Sequence, residues 1–526
     1  MKMKLNYKRT ILVGFAFFLI SAFWQGYDTL PITLTNKFGM SQTLSGFIMT
    51  LDNILALFLL PLFGSISDKS KHKMGRRKPF ILVGTILAVV TLFGLTMVDN
   101  IQLNKISEVS QIDDPISLSA IYEQKKDTVL VNPNAPFGES GEYKLVDLYT
   151  QEEFSQIKCE IDNPEKPGKK MTNPEYVNYV VPARQSCVAD ITAKDPSMMI
   201  LFIGVLLTVL VSMSIFRSPA VALMPDVTVK PLRSKGNAII NLMGTAGGIL
   251  VLLTGIVAGT GKPYNGMMSY TMYFGIIIAI MMVALVIFMI TVKEPAWAKE
   301  MEDKTKELGL EEEPAQQTGG ERKLSKKEKR SLILILMSVA LWYFGYNAVT
   351  SKYAVYANNI LAMDHNTTLL IAQAAAIIAY LPAGIVASKI GRRKTILAGV
   401  IMLTAAFGLA SFMNSGSSVI VMNILFATAG IGWATINVNS FPMVVEMCSG
   451  GNVGKYTGFY YTASMAAQAL TPTLSGALMD TTKTMRVLFP YAAIFVALAF
   501  VTMLFVRHGD AKVEAKKGLE ALVVED

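Results

Sequence analysis

The 526-residue chain is poor in the side chains that do covalent or metal chemistry. It has three cysteines and three histidines, none at a metal-ligand spacing, and no glycine-rich phosphate loop. Enzyme, metal and cofactor readings therefore find little support. Charge is sparse as well, 17% of residues against 52% hydrophobic, and the apolar residues gather into long runs. Runs of about 20 residues match the ~30 Å of hydrocarbon that a helix must cross. The composition therefore predicts an all-α polytopic membrane protein.

Apolar runs near 10–34, 43–64, 79–98, 197–218, 237–260, 266–292, 331–354, 367–388, 394–413, 417–441, 456–479 and 485–506 predict twelve spans. Lys2, Lys4, Lys8 and Arg9 precede the first run, which is longer than a signal-peptide core and carries Trp24, Gln25 and Asp28. It reads as a spanning helix that enters from the cytoplasm. Even numbering places both termini there, in the cell membrane. The net charge of +9 hides an asymmetry: residues 99–196 hold 17 acids and 10 bases, so the remainder carries +16. The excess lies in short loops beside spans, which the positive-inside rule explains without a nucleic-acid partner.

The loop that sets this orientation is GSISDKSKHKMGRRKPF, residues 64–80, with seven cationic or near-cationic side chains between two apolar runs. GIVASKIGRRK, at 384–394, repeats the pattern about 320 residues later. One copy per half marks a duplicated bundle. On these motifs the chain resembles the major facilitator superfamily, and within it the glycoside-pentoside-hexuronide cation symporters and sucrose-type proton symporters. The resemblance implies two six-helix bundles, residues 1–292 and 331–526. The first is interrupted by the segment 99–196, and the two are joined by a cytoplasmic linker at 293–330, read as a solvated tether, part helical. Alternating stretches at 127–131, 142–149 and 175–181 predict a small β-rich extracellular insert. Cys159 and Cys187 lie in it, and a disulfide between them is expected at an oxidising surface, with two unpaired thiols as the alternative.

The resemblance also implies a latch at the cytoplasmic face. Its members would be Asp68, Arg76 and Arg77, with Asp226 and Arg233 in the first half, and Arg392, Arg393, Glu446 and Lys455 in the second. Such pairs at helix ends can form in one conformation and break in another; the plainer reading is charge that only sets topology. Ser388 stands where the family pattern has Asp, so the second latch should be weaker.

Asp28, Asp52 and Arg217 are the convincing ionisable residues inside the predicted spans, away from the span ends. A charge in hydrocarbon is costly, so each should face the bundle interior. Asp52 lies about 16 Å from its helix end at 1.5 Å per residue, near the midplane, and is the first candidate for cation coupling, with Asp28 the second. A buried salt bridge to Arg217 that merely holds helices together is the structural alternative.

Polar and aromatic side chains on otherwise apolar helices are the candidate substrate ligands. The first half supplies Trp24, Gln25, Tyr27, Asn53, Arg217 and Asn241; the second supplies Tyr343, Tyr346, Asn347, Gln373, Asn437, Asn439 and Gln468. Sugars need this mixture, because aromatic faces stack on C–H surfaces while amides donate to and accept from hydroxyls. Interhelical hydrogen bonding is an equally simple use for any one of them. The expectation is a monomeric carrier that imports a sugar or glycoside by symport, with a proton as the coupling ion, no cofactor, and lipid as its surroundings. Sodium is the weaker choice, because the melibiose-type carriers place several acids on helices 2 and 4, where this chain has Asp52 and Arg217. The alternatives are a carrier of a drug or organic anion, with Arg217 on a carboxylate, and a membrane sensor whose insert binds a ligand.

Overall fold

The computed structural model describes residues 5–135, 139, 141–163, 168, 170–229, 232–307, 324–445, 447 and 453–508. Twelve long helices order the described chain. The first six are α1 (Tyr7–Tyr27), α2 (Gln42–Asp68), α3 (Lys78–Lys105), α4 (Ser197–Asp226), α5 (Arg233–Ala258) and α6 (Thr271–Thr291). The second six are α7 (Lys326–Tyr356), α8 (His365–Ile390), α9 (Arg392–Ala410), α10 (Val419–Val445), α11 (Val453–Thr482) and α12 (Leu488–Leu504). Ten stretches of the described residues, covering all but α8 and α11, are long and apolar enough to cross a membrane. This is a multi-pass membrane protein.

Each six-helix set buries its own apolar core. Val13, Leu19, Phe202 and Ile277 belong to the first, and Ile335, Trp342, Leu403 and Phe489 to the second. Local chemistry sets several ends. Ser41 caps α2 by accepting the N–H of Leu44, and Ser325 with Glu328 forms a capping box at the start of α7. The glycines of the two basic repeats, Gly75 and Gly391, have φ of +115° and +94°. Side-chain-bearing residues rarely adopt that conformation, so glycine ends the turn before α3 and before α9.

The halves meet along α2 with α11, and α5 with α8. Where α2 crosses α11, a Cβ on Gly46 would collide with the carbonyl of Pro472, and one on Gly476 with the carbonyl of Gln42. Two missing side chains let the backbones touch. The short helix Leu30–Asn36 also contributes Ile32 to the core of the second half.

The insert is helical rather than β-rich. Two antiparallel hairpins, β1 (Leu130–Val131) with β2 (Glu142–Tyr143) and β3 (Glu160–Asp162) with β4 (Lys170–Thr172), are its sheets among the described residues. Pro115–Lys125 and Val181–Lys194 are α-helices, and the expected strand at 175–181 is instead the π-turn Tyr176–Val180. The period-2 pattern misleads because the insert is built of short helices around one core, which includes Ile121, Phe154, Val180 and Val188, while Val129, Val146 and Leu148 of the alternating stretches stay exposed. Its start moves too. Asp99 is buried within α3 because Lys37 neutralises it at 2.6 Å, so an acid that looked like a helix exit is an interior partner. The linker begins as the helix Glu294–Glu307, docked by buried Trp297 and by Arg9, which meets Glu300 at 2.5 Å and lies over the Trp297 ring. Its first third is therefore a packed element, not a solvated tether.

Candidate functional site

A cavity of about 580 Å³ lies between the halves at mid-depth. Its wall takes Trp24, Gln25 and Asp28 from α1 and Asn241 from α5, faced by Tyr346 from α7, Gln373 from α8 and Asn437 from α10. Gln373 donates to Gln25 at 2.7 Å, a hydrogen bond that joins the two halves across the cavity. Both side chains keep further amide atoms free to bind a solute.

Two lining aromatics escape a residue-by-residue reading. Trp433 lies face to face on Tyr346, with centroids 3.7 Å apart and planes 5° from parallel, and Tyr380 is hydrogen-bonded to Asn437. An aromatic in an apolar run gives no signal by itself. The clue was a Tyr and a Trp near the centres of predicted spans, away from the interfaces where such residues usually sit.

Seven of the candidate ligands do not line the cavity. Tyr27 is buried beside Phe23 and Trp24, Tyr343 packs edge-on to Trp433, and Asn439 donates to the Thr435 carbonyl of its own helix. Asn53 donates to Asp52 at 2.8 Å. Asn347 and Gln468 are half-buried outside the lining. Packing and interhelical bonding are the plain alternative use for a polar group on a spanning helix. Arg217 is also behind the wall, its guanidinium 5.3 Å from the Trp24 ring centroid, and its charge acts on Asp52. Asp52 in turn acts electrostatically on Asp28 at the cavity wall.

One end of the cavity is sealed, the end that carries the insert. Asp480 accepts the N–H groups of Gln42 and Thr43, Lys352 donates to the Gln42 carbonyl at 2.6 Å, and Asn366 donates to Thr260. At the opposite end the basic loop forms a network within the first half. Arg77 donates to Asp226 at 2.7 Å, Asp68 at 2.5 Å and Ser67 at 2.5 Å, while Arg76 lies 3.3 Å from Asp226. Glu294, the first acid of the linker, accepts the N–H groups of Arg77 and Lys78 and so caps α3. In the second half Arg393 donates to the carbonyls of Met503 and Leu504 at the end of α12, and Arg392 is buried at the start of α9. The expected latch residues thus bind helix ends within their own halves. Glu446 and the side chains of Arg233, Ser388 and Lys455 lie outside the described residues.

Cys159 and Cys187 are free thiols, both buried in the insert core, so the expected disulfide is not formed. Burial pushes each thiol up to about 12.

Comparison with known proteins agrees with this architecture. A family model described as "Major Facilitator Superfamily" matches residues 361–524, and one described as "MFS/sugar transport protein" matches residues 14–104. A mutant of the nucleoside transporter NupG superposes with a TM-score of 0.55 at 12% identity, over 95% of this chain and 100% of that one. The chain has the major facilitator fold. The inward-open xylose transporter XylE from E. coli gives 0.53 at 13% identity over 98% of each chain. A bacterial homologue of the iron transporter ferroportin, inward-facing, gives 0.54 at 10% identity over 95% and 99%. No curated protein matches the chain. These likenesses describe transporters, not enzymes, and at such identities they establish the fold and not the solute.

Proposed function

We propose that the protein imports a sugar or glycoside by alternating access, in symport with a proton. The observation that carries this reading is the cavity wall. Aromatic faces (Trp24, Tyr346, Trp433) and amides (Gln25, Asn241, Gln373, Asn437) converge from both halves on one space of about 580 Å³. That volume holds a mono- or disaccharide, whose C–H faces stack on rings while its hydroxyls exchange hydrogen bonds with amides. The resemblance to the glycoside-pentoside-hexuronide and sucrose-type symporters points the same way.

On the positive-inside rule the end that carries the two basic loops faces the cytoplasm. The seal formed by Asp480, Lys352 and the α2–α11 crossing then faces outward, and solute would leave the cavity toward the cytoplasm. Asp28 at the wall and Asp52 behind it are the proton carriers in this scheme. An anion is costly at that depth, so gaining a proton and gaining substrate can favour the same conformation. Arg217, covered by Trp24, acts as the counter-charge of Asp52 rather than as a carboxylate ligand. This position disfavours an organic anion as the solute.

Counterflow in proteoliposomes tests the reading, with a panel of pentoses, hexoses, disaccharides and organic acids. Exchange of at least one sugar and no acid is expected. Exchange confined to organic acids would overturn it, and uptake that follows a sodium gradient but no pH gradient would overturn the proton.

A further inference from the structure

We propose that the insert is a clasp: it docks on the second half across the sealed end and holds the transporter in that conformation. Its helices and hairpins emerge from the first half, between α3 and α4, yet one edge is attached to the loop between α11 and α12. Lys483 pairs with Glu142, at the start of β2. Thr484 donates to the carbonyl of Pro133 at 2.9 Å, and Arg486 approaches the carbonyl of Asn134 at 3.4 Å.

This docking edge is fixed to the body of the insert. Asn134 donates to Asn178 at 2.6 Å, and the N–H of Asn132 donates to the Gly141 carbonyl at 2.9 Å. A second tie lies nearer the axis. Asn36 accepts from Gln185 of the insert at 2.8 Å and from Asn359 of the second half at 3.2 Å, so one amide joins insert, first half and second half. The insert itself is stiff, because buried Arg184 donates to Val109, Gln111 and Tyr176. A stiff body rooted in one half and bonded to the other cannot follow both when the halves separate at this end. Either the 483–486 contacts break or the end stays shut.

The proposal gains its meaning for transport from the alternating access proposed above, but the docking is measurable without any solute. Spin labels at Ile101→Cys on α3 and Phe412→Cys after α9 report the separation of the halves at the insert end, since both side chains are exposed. The full chain is used in lipid nanodiscs, with the three native cysteines changed to Ala. Lys483→Glu should raise the ratio of long-distance to short-distance populations about threefold, the range of one exposed ion pair. Lys483→Glu with Arg486→Glu should raise it about tenfold. The exchanged pair Glu142→Lys with Lys483→Glu should return the ratio to its starting value. An unchanged ratio in both weakened chains would overturn the clasp. So would an equal rise in the exchanged pair, which would show an effect of charge rather than of docking. If the clasp holds while no sugar is transported, the transport reading alone fails.

Discussion

Asp480, in the last turns of α11, accepts the backbone N–H of Thr43 in the first turn of α2 at 2.8 Å. The N–H of Gln42 reaches the same carboxylate at 3.0 Å, and Lys352 holds the Gln42 carbonyl from α7. An anion from one half thus sits on the positive end of a helix from the other, where unpaired N–H groups and the helix dipole both favour it. The contact exists only while the halves are together at this end.

Asp480→Ala should therefore loosen the seal by about 1–2 kcal/mol, or about tenfold in the closing equilibrium. A cysteine at Thr50, which lies 3.4 Å from Thr473 in the same seam, should then react with a maleimide about ten times faster. An unchanged labelling rate would show that the seal does not depend on this carboxylate.

The α2–α11 crossing gives a steric counterpart. Gly476→Val places a side chain against the Gln42 carbonyl and should block the sealed conformation, with loss of uptake from a folded, monodisperse protein. Gly275→Ala on α6 is the control, since its Cβ would meet nothing within 4 Å. Uptake by Gly476→Val at the parental rate would contradict the crossing described here.

Arg77 and its neighbour Arg76 should differ sharply. Arg77 is 5% exposed and joins α2, α4 and the start of α3, whereas Arg76 is 47% exposed and meets Asp226 at 3.3 Å. Arg77→Ala leaves Asp226 partly buried without its main partner and should cost about 2–3 kcal/mol. Arg76→Ala should cost under about 1 kcal/mol. Thermal unfolding of the purified variants separates them, and equal losses would contradict a network built on Arg77.

Coupling divides the two carboxylates. Asp52→Asn should lose uphill accumulation but keep exchange, in which the carrier never returns empty. Asp28→Asn, at the cavity wall, should weaken substrate affinity more than coupling. Accumulation by Asp52→Asn in an imposed pH gradient would remove Asp52 as the proton site.

The thiols give a pH test. Burial raises Cys159 and Cys187 to about 12 in the folded insert, against about 8.5 for an exposed thiol. The folded state thus favours the neutral thiol. The resulting stabilisation is complete below about pH 8.5 and is lost as pH rises toward 12. At pH 8 both thiols should resist alkylation until denaturant is added, with no need for reduction. A requirement for reductant would show a disulfide instead.

The spans were legible in the sequence because hydrocarbon imposes a length and a polarity that each helix must satisfy on its own. The basic repeats were legible for a similar reason, since a glycine of positive φ and a run of cations are local needs of a turn at the membrane surface. Trp24, Gln25, Asp28, Asn241, Tyr346, Gln373 and Asn437 were identifiable as polar or aromatic groups on apolar helices. Tyr27, Asn53, Tyr343, Asn347, Asn439 and Gln468 carried the same signal and do not line the cavity. The difference is a helix rotation, fixed by neighbours far away in the chain.

The sequence by itself determined a membrane-spanning, duplicated bundle and the end at which its positive loops lie, because hydrophobic length and charge act within single segments. Tertiary structure decided which partner each polar group meets. Lys37 with Asp99, Glu294 with the amides of Arg77 and Lys78, and Asp480 with the start of α2 lie 62, 217, 216, 438 and 437 residues apart along the chain. The helical insert and its free thiols belong to the same class. A buried charge or amide must be satisfied, but only packing selects, among many distant groups, the one that satisfies it.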